Sequence, residues 1–405
     1  MASHAATTQD DLRRLNLARL LRRLHVAGSS SRSDLVAFSG LNRSTVGVLV
    51  SELAEVGLVA ERAGSAGQVG RPSLRVEAVP GSAVVVAFDL RVDRTIVALV
   101  GLGGEVLFRR EQKHRRVNYT PQSAVRTVVT LTELALAKAP DGASWVGLGI
   151  GVPGVVDHVN GRVRLAPNLG WVDVPFGESV LEALAERFGT VPSLTINNDA
   201  DLGAIAEHVR GAGVHARNLI FLSGDVGIGG GVVIDDRLMT GASGFGGEVG
   251  HMVVNPAGRT CRCGATGCWE TEIGHDAIVG SSDSTGSPGE VADVVRAAAD
   301  GDPDAQAALQ SVGEWLGIGL ANLVNVFNPE VIVLGGHLRL VFPTVSGIVL
   351  RRIHFALPAA REQVRIEVPA MNGDSTLIGA AETAFDALLS DPIGVLSRAP
   401  LAVAS

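Results

Sequence analysis

Four side chains that bind soft or borderline metal ions crowd into one short stretch. His251 stands ten positions before Cys261, and Cys261-Arg262-Cys263 and Cys268 follow within the pattern Cys-x-Cys-Gly-x-x-Gly-Cys. The chain has three cysteines, all within these eight residues, a distribution that in a reducing compartment fits a metal site better than a disulfide framework. Thiolate and imidazole donors favour tetrahedral Zn2+, and one His with three Cys leaves no open position for a reactive water. The metal is therefore expected to be structural, shaping a loop. Gly264 and Gly267 allow the tight chain reversal that ligation requires.

Carboxylates flank this cluster. Glu248 precedes His251 by three residues and Glu270 follows Cys268 by two, so folding the loop around a metal brings two carboxylates near one place. Asn198-Asp199 follows the apolar strand Ser193 to Ile196 and precedes a helical pattern. Such groups accept and donate hydrogen bonds to vicinal hydroxyls, and a ring with several hydroxyls needs several of them, pre-formed, to replace water. A polyol or sugar fits. Taken alone, Asn198-Asp199 suits a helix cap equally well, and either glutamate alone suits solvated surface.

The elements that must hold these groups follow from composition and pattern. A chain of 405 residues predicts two or three domains. With 46% hydrophobic and 19% charged residues it can bury a sizeable core, and 50 glycines with 4% aromatics favour an α/β chain rich in tight turns. Aromatic platforms for single-stranded nucleic acid are not expected. Val-rich strands at 83–89, 95–100 and 105–109 predict an antiparallel meander. Helical patterns (about 121–139, 177–188, 201–209, 289–300, 303–327) then alternate with apolar strands (145–151, 193–197, 218–223, 231–235, 331–335). The stretches from Ala83 and from Leu219 each begin strand, glycine turn, strand, which hints at two related lobes with a cleft between. The longest uncharged apolar run, Leu316 to Pro329, is interrupted by Asn322, Asn325 and Asn328 and is shorter than the roughly 20 residues of a membrane span. The N-terminus has neither a basic start nor an apolar stretch. A cytoplasmic protein with no membrane partner is expected. Ser281 to Pro288 suggests a flexible loop, and the tail after Asp391 a loosely held end.

The net charge of −8 is uneven: residues 1–80 carry ten Arg against seven acidic residues, +3, leaving −11 for the rest. Only this front end suits DNA. Apolar positions Leu12, Leu15, Leu17, Leu20, Leu21 and Leu24 predict a first helix ended by Gly28, and Ser31 with Asp34 has the form of a capping box opening a short second helix that stops at Gly40. Asn42 caps a third. Val46, Leu49, Val50, Leu53 and Val56 line one face of it, leaving Arg43, Ser44, Thr45 and Ser51 on the other face or at its N-terminus. The pair has helix-turn-helix form, so Arg43, Ser44 and Thr45 are candidates for base or phosphate contact in a major groove. Strands at Leu58–Arg62 and Ser73–Ala78 flank Gly67-Gln68-Val69-Gly70-Arg71-Pro72, the pattern of a wing whose tip residue, Arg71, suits a minor groove. A winged module on duplex DNA works on paired half-sites, so a homodimer or homotetramer is expected.

Together these residues resemble the ROK family of repressors, open reading frames and sugar kinases. Ser223-Gly224-Asp225-Val226-Gly227-Ile228-Gly229-Gly230-Gly231 and Gly247-Glu248-Val249-Gly250-His251 look like its signature, Cys261 to Glu270 like its zinc loop, and Asn198-Asp199-Ala200 and Gly151-Val152-Pro153-Gly154 also match. The resemblance implies an N-terminal winged helix-turn-helix followed by a two-lobed, actin-like, sugar-kinase-like (ribonuclease H-like) body. The implied domains are residues 1–80, a first lobe at 81–200 joined by a helix at about 375–390, and a second lobe at 201–374. It would make Asp199 the base position, Asn198, Glu248 and Glu270 hydroxyl contacts, and His251 both zinc ligand and sugar neighbour, with Gly154 and Asn168 lining the pocket.

The winged module marks the family's regulators, and the nucleotide site departs from the kinases in the same direction. Where family kinases carry Asp-x-Gly-Gly-Thr, this chain has Asp89-Leu90-Arg91-Val92-Asp93, and where they carry Gly-Thr before Gly-Ile-Gly it has Asp225-Val226. Bulky Arg91 and Val92 replace residues whose missing Cβ lets backbone N–H groups approach phosphate. At about 5 Å the repulsion of one unit charge by Asp225 is about 1 kcal/mol in water and about 3 kcal/mol at an effective dielectric near 20. The expectation is a sugar-responsive repressor that binds double-stranded operator DNA and a sugar effector without catalysis, Asp199 being a degenerate base position. The main rival is an ATP-dependent sugar kinase with an appended DNA-binding module, and a third possibility is a dimerisation scaffold without ligand.

Overall fold

Helix α1 (Gln9–Ala27) starts where the side chains of Thr8 and Asp11 cap each other's backbone and stops at Gly28, whose φ is +74°. Its stripe Leu17, Leu20, Leu21 and Leu24 is fully or almost fully buried, each side chain contributing roughly 1.5–3 kcal/mol of transfer free energy. Leu12 and Leu15, expected on that stripe, are instead 52% and 57% exposed. One turn before Leu17 the stripe falls on Arg13, which pairs with Glu52 at 3.0 Å, and the two leucines point off it. Strand β1 (Ser29–Ser31) follows, then α2 (Arg32–Ser39), opened by the Ser31/Asp34 capping box, and α3 (Arg43–Glu55), capped by Asn42. Strands β2 (Val59–Ala63) and β3 (Leu74–Ala78) pair antiparallel, and β1 joins the other edge of β3. This is a helix-turn-helix with a wing. The computed structural model of the chain describes residues 8–63, 74–115, 119–242, 244–280 and 288–401; the wing tip with Arg71 and the segment 281–287 lie outside them.

In the body, β4 (Ala83–Leu90), β5 (Arg94–Gly101) and β6 (Val106–Lys113) form an antiparallel meander. After α4 (Pro121–Leu136), β7 (Ser144–Val152) lies parallel to β4. A small sheet of β8 (Val155–Asp157), β9 (Arg162–Ala166) and β10 (Trp171–Val174) precedes α5 (Phe176–Phe188), and β11 (Ser193–Asn198) completes the order β11-β7-β4-β5-β6. Helix α6 (Asp199–Arg210) leads to a second meander, β12 (Leu219–Gly224), β13 (Ile228–Ile234) and β14 (Arg237–Leu238). Then come the short α7 (Trp269–Ile273) and α8 (His275–Val279), α9 (Pro288–Ala299), α10 (Pro303–Phe327) and β15 (Val331–Gly336). Next are α11 (Leu338–Ile353), α12 (Pro358–Arg361) and β16 (Arg365–Glu367), and finally α13 (Ser375–Ser390) and α14 (Pro392–Leu396). The second sheet runs β14-β13-β12-β15-β16. In both sheets the first strand of a meander is flanked by a later parallel strand and a second parallel strand beyond it, so the two lobes repeat one topology.

The lobes meet through two helices. α13 lies directly on β7: a Cβ on Gly147 or Gly149 would stand 2.2 or 2.0 Å from the carbonyl oxygens of Ala384 and Ala380. α6 packs Ala200 and Ala204 against Leu219, Phe221 and Val233 of the second sheet. Where the helices cross, a Cβ on Gly379 would come within 1.9 Å of the Leu202 carbonyl oxygen. The apolar stripe of α1 joins Val85, Ala87, Phe385, Leu388 and Leu389 in a single core, so the front module is docked on the first lobe and is no separate bead. The tail after Asp391, expected to be loose, is held as far as Leu401. Asp391 caps α14, the Pro400 carbonyl accepts from Trp145 N at 2.9 Å, and Leu401 pairs with Ser144. Among the described residues no helix is long and apolar enough to cross a membrane.

Candidate functional site

The loop after β14 turns through Val249–His251, leaves along Met252 and returns so that Val253 pairs with Cys268 and Thr260 with Thr266. Gly267 has φ +77°, and a Cβ there would stand 1.6 Å from the Asn255 carbonyl oxygen, so the reversal requires glycine. Fully buried Trp269 anchors the loop, donating from Nε1 to the Trp315 carbonyl of α10 at 2.9 Å. The result gathers one atom each of His251, Cys261, Cys263 and Cys268 within 4.8 Å of one another. Cys261 Sγ and His251 Nδ1 are 3.7 Å apart and Cys263 Sγ and Cys268 Sγ 3.6 Å, close to the edge of about 3.7 Å that a tetrahedron with Zn–S near 2.3 Å requires. These residues fit a metal ion. Without one, burial and the neighbouring Glu270 carboxylate push the Cys261 thiol above its ordinary range, a penalty that a divalent cation reverses by stabilising the thiolate.

The cluster brings its two carboxylates into one cleft. Glu270 Oε1 accepts from Cys261 Sγ at 2.8 Å and lies 3.7 Å from His251 Nδ1, while Glu248 Oε2 lies 3.9 Å from His251 Nε2. With Nδ1 toward the cysteines, Nε2 faces Glu248 across 3.9 Å. Across the cleft, Asn198 ends β11 and caps α6: its Oδ1 accepts from Ala200 N at 2.8 Å and Asp201 N at 3.2 Å, and its Nδ2 donates to Gly154 O at 2.9 Å. The cap is thus its structural role, with one amide N–H left uncommitted. Asp199 opens α6. Burial, reinforced by the Asp225 and Asp89 carboxylates, pushes it up to about 8, so it holds a proton at neutral pH. Asp201, one residue beyond Ala200, is pushed to about 7 by burial and Glu248. Its Oδ1 and His158 Nε2 have no hydrogen-bond partner among the described residues.

The other half of the cleft belongs to Arg91. Its Nε donates to Asp89 Oδ2 at 2.7 Å and its Nη2 to the Gly373 carbonyl at 2.9 Å. Asp89 is 2% exposed. Burial raises Asp89 and Arg91 opposes that rise, while Asp89 in turn, with Asp225 and Asp374 adding to it, holds the guanidinium firmly charged. The side chain therefore bridges β4 to the turn before α13, and it lines the cleft together with Asp225.

One cavity of about 620 Å³ runs between these halves, lined by Arg91, Val92, Gly154, Asn168, Asn198, Asp199, Asp225, Val226, Glu248, His251, Cys261, Cys263 and Glu270 among others. The size suits a small polar ligand. Sequence reasoning missed Arg259, Arg262 and Asp276, which also line it. Arg262 Nη1 donates to Asn168 Oδ1 at 3.3 Å and its Nη2 pairs with Asp276 at 3.6 Å, so it reaches from the metal loop to the first lobe. No local pattern marked it out: Arg262 sits between Cys261 and Cys263, and all three line the same cavity.

In the front module, Arg43, Ser44 and Ser51 are exposed and Thr45 is half-buried. Asn42 Oδ1 accepts both the Ser44 hydroxyl at 2.7 Å and Thr45 N at 2.8 Å, so the Ser44 side chain is held by the cap and Arg43 is left reaching outward from the first turn.

A helix-turn-helix module is thus docked on a two-lobed body whose cleft carries the His251, Cys261, Cys263 and Cys268 cluster, an Asn-Asp helix start and twin meander sheets. The profile of the ROK family matches residues 85–387, and the chain belongs to that family. It is 33% identical over 320 residues to the xylose repressor of Caldicellulosiruptor bescii, covering 75% of this chain and 78% of that one. Among solved structures it is similar to a ROK family transcriptional regulator, a homolog of the E. coli Mlc protein, with TM-score 0.77, 25% identity, and 95% and 99% of the two chains covered. It is also similar to the ROK family glucokinase of Streptomyces griseus in complex with glucose and AMPPNP, with TM-score 0.61, 26% identity, and 74% and 99% covered.

Proposed function

We propose that this chain is a sugar-responsive transcriptional repressor whose kinase-like body binds a sugar without phosphorylating it. The observation that carries this is the committed state of Arg91, bonded to Asp89 and Gly373 O at 2.7 and 2.9 Å. The half-cleft that in a kinase receives triphosphate already holds a side chain with its carboxylate partner, and Asp225 adds like-sign charge against phosphate. The other half keeps Glu248, Glu270, His251 and Asn198 facing one space, the donor and acceptor set a polyol needs. Likeness to a xylose repressor over 75% of the chain and to a transcriptional regulator over 95% of it supports the same assignment.

In this account Zn2+ bound by His251, Cys261, Cys263 and Cys268 supplies a fixed loop and no reactive water. Glu270 and Glu248 accept sugar hydroxyls, and protonated Asp199 donates a hydrogen bond in place of abstracting a proton. Arg43 and Thr45, with Arg71 on the wing, contact operator DNA in the cytoplasm. The protein acts as a homodimer or homotetramer on paired half-sites. Sugar alters DNA affinity only by favouring one arrangement of the lobes over the other. Calorimetry against D-xylose, D-glucose and an amino sugar, followed by operator binding with and without the sugar that binds, tests the proposal. Saturable binding of a sugar that shifts operator affinity is expected; ATP-dependent turnover of that sugar sinks it in favour of the kinase.

A further inference from the structure

Two helices run from the cleft to the DNA-binding module and meet there on one buried polar cluster. α6 starts at Asp199 in the cleft and ends at Arg210, and at ~1.5 Å per residue its 12 residues span ~18 Å. α13 starts beside the same point, with Thr376 Oγ1 donating to the Asp199 carbonyl at 3.0 Å. At the far end Arg210 Nε donates to Glu382 Oε1 of α13 at 2.5 Å, Nη1 to the Gly103 carbonyl at 3.0 Å, and Nη2 to the His25 carbonyl of α1 at 3.2 Å. His25 Nδ1 accepts from Gly103 N at 2.9 Å, so its ring proton sits on Nε2, which faces Glu382 Oε2 at 3.2 Å. His25 is 0% and Glu382 7% exposed.

We infer that the Arg210–Glu382–His25 cluster is the latch through which an occupant of the cleft moves α1, and with it α3; the inference rests on the sugar assignment of the cleft made above. Three features set this cluster apart from the rest of the docking interface. The apolar contacts of α1 with Phe385, Leu388 and Leu389 are non-directional and tolerate small slides. The flanking pairs Arg22–Asp386 and Arg14–Asp391 are exposed and screened. A guanidinium fork with three simultaneous acceptors on three elements is directional, and a shift of about an ångström breaks it. The packing around it is close: a Cβ on Gly104 would stand 2.4 Å from Arg210 Cζ, and one on Gly379 1.9 Å from Leu202 O. Movement of α6 against α13 at the cleft therefore arrives at the cluster as a break or a re-pairing, which is the two-state behaviour coupling requires.

The test uses the full chain with Glu382→Gln and, separately, His25→Gln, which keep size and hydrogen-bonding capacity. D-xylose and D-glucose are the probes, and the DNA upstream of the protein's own coding sequence is the operator fragment. Calorimetry reads the cleft, and the ratio of operator affinities with and without sugar reads the coupling. Both variants are expected to bind sugar within about threefold of the wild type, while a ratio in the usual range of roughly 5–150-fold collapses toward one. A wild-type ratio in either variant overturns the latch. If neither sugar binds the wild type, the cleft assignment fails, and hydrogen exchange without ligand decides the latch by itself. The Arg22–Ala27 amides must then exchange roughly tenfold faster in Glu382→Gln while α10 is unchanged; equal rates overturn it.

Discussion

Arg91 and Asp89 lie two residues apart on the strand-to-turn edge of the first lobe, 2.7 Å from nitrogen to oxygen, with Asp89 at 2% exposure. The pair neutralises a charge that burial alone would not tolerate. Removing one member is costly because the other is then buried alone. Arg91→Ala should therefore lower stability by about 3–5 kcal/mol, and Arg91→Ala with Asp89→Asn should recover most of that loss. Urea unfolding of the two single variants and the double variant measures the cycle; additive losses contradict the pairing.

Metal content should govern the sugar half of the cleft. Cys263→Ser removes one of four ligand atoms that lie within 4.8 Å of one another, so zinc measured by mass spectrometry should fall from one per chain to near none, and sugar affinity by at least about tenfold. A zinc-free protein with full sugar affinity breaks the proposed link.

The carboxylates should act on the ligand directly. Glu270→Gln and Glu248→Gln keep the shape of a loop anchored by Trp269 but weaken acceptance from hydroxyls, so sugar affinity should drop roughly tenfold or more at unchanged zinc content. Retained affinity in both would remove the sugar from this half of the cleft.

Asp199 sets a pH dependence. Its proton is held to about 8 in the folded chain, against an ordinary carboxyl value of 3.8. Between these values the folded state binds a proton that the unfolded state has released, so this contribution is full below the lower value and is lost as pH rises through the upper one. Asp199→Asn, which needs no proton, should show a flatter decline of Tm from about pH 5 to about pH 8 than the wild type. Parallel profiles would mean that Asp199 is ionised throughout.

Arg43 extends from the first turn of α3, its neighbour Ser44 being bonded to the Asn42 cap. Arg43→Ala should weaken operator binding by about tenfold or more and lessen the salt dependence. Anisotropy titrations at several salt concentrations measure both; an unchanged affinity and slope would place another element in the groove.

What the sequence revealed depended on locality. Caps at Ser31 and Asn42, the strand from Ser193 and the ligand spacing at Cys261 to Cys268 are set within a few residues of the chain, and periodicity and side-chain chemistry identify them. The small sheet of Arg162–Ala166 and its neighbours is too short and mixed to stand out, and α11 carries Pro343 inside a helix. Leu12 and Leu15 belong to the same leucine-rich run as the buried stripe, but at about 100° per residue they lie on the opposite side of the helix from Leu17, and both are exposed. The Arg210–Glu382–His25 cluster joins residues 185 and 357 positions from His25, and no local pattern announces it. The docking of the front module on α13 was illegible for the same reason: the shared core is assembled from both ends of the chain.

The central claim is that this cleft takes a sugar and passes it no phosphate. Radiolabelled γ-phosphate transfer from ATP to whichever sugar binds by calorimetry tests it most directly. The account predicts turnover at least about a thousandfold below the roughly 1–1000 per second of typical enzymes, with operator affinity still responding to the sugar. Phosphosugar formed within that ordinary range would contradict it.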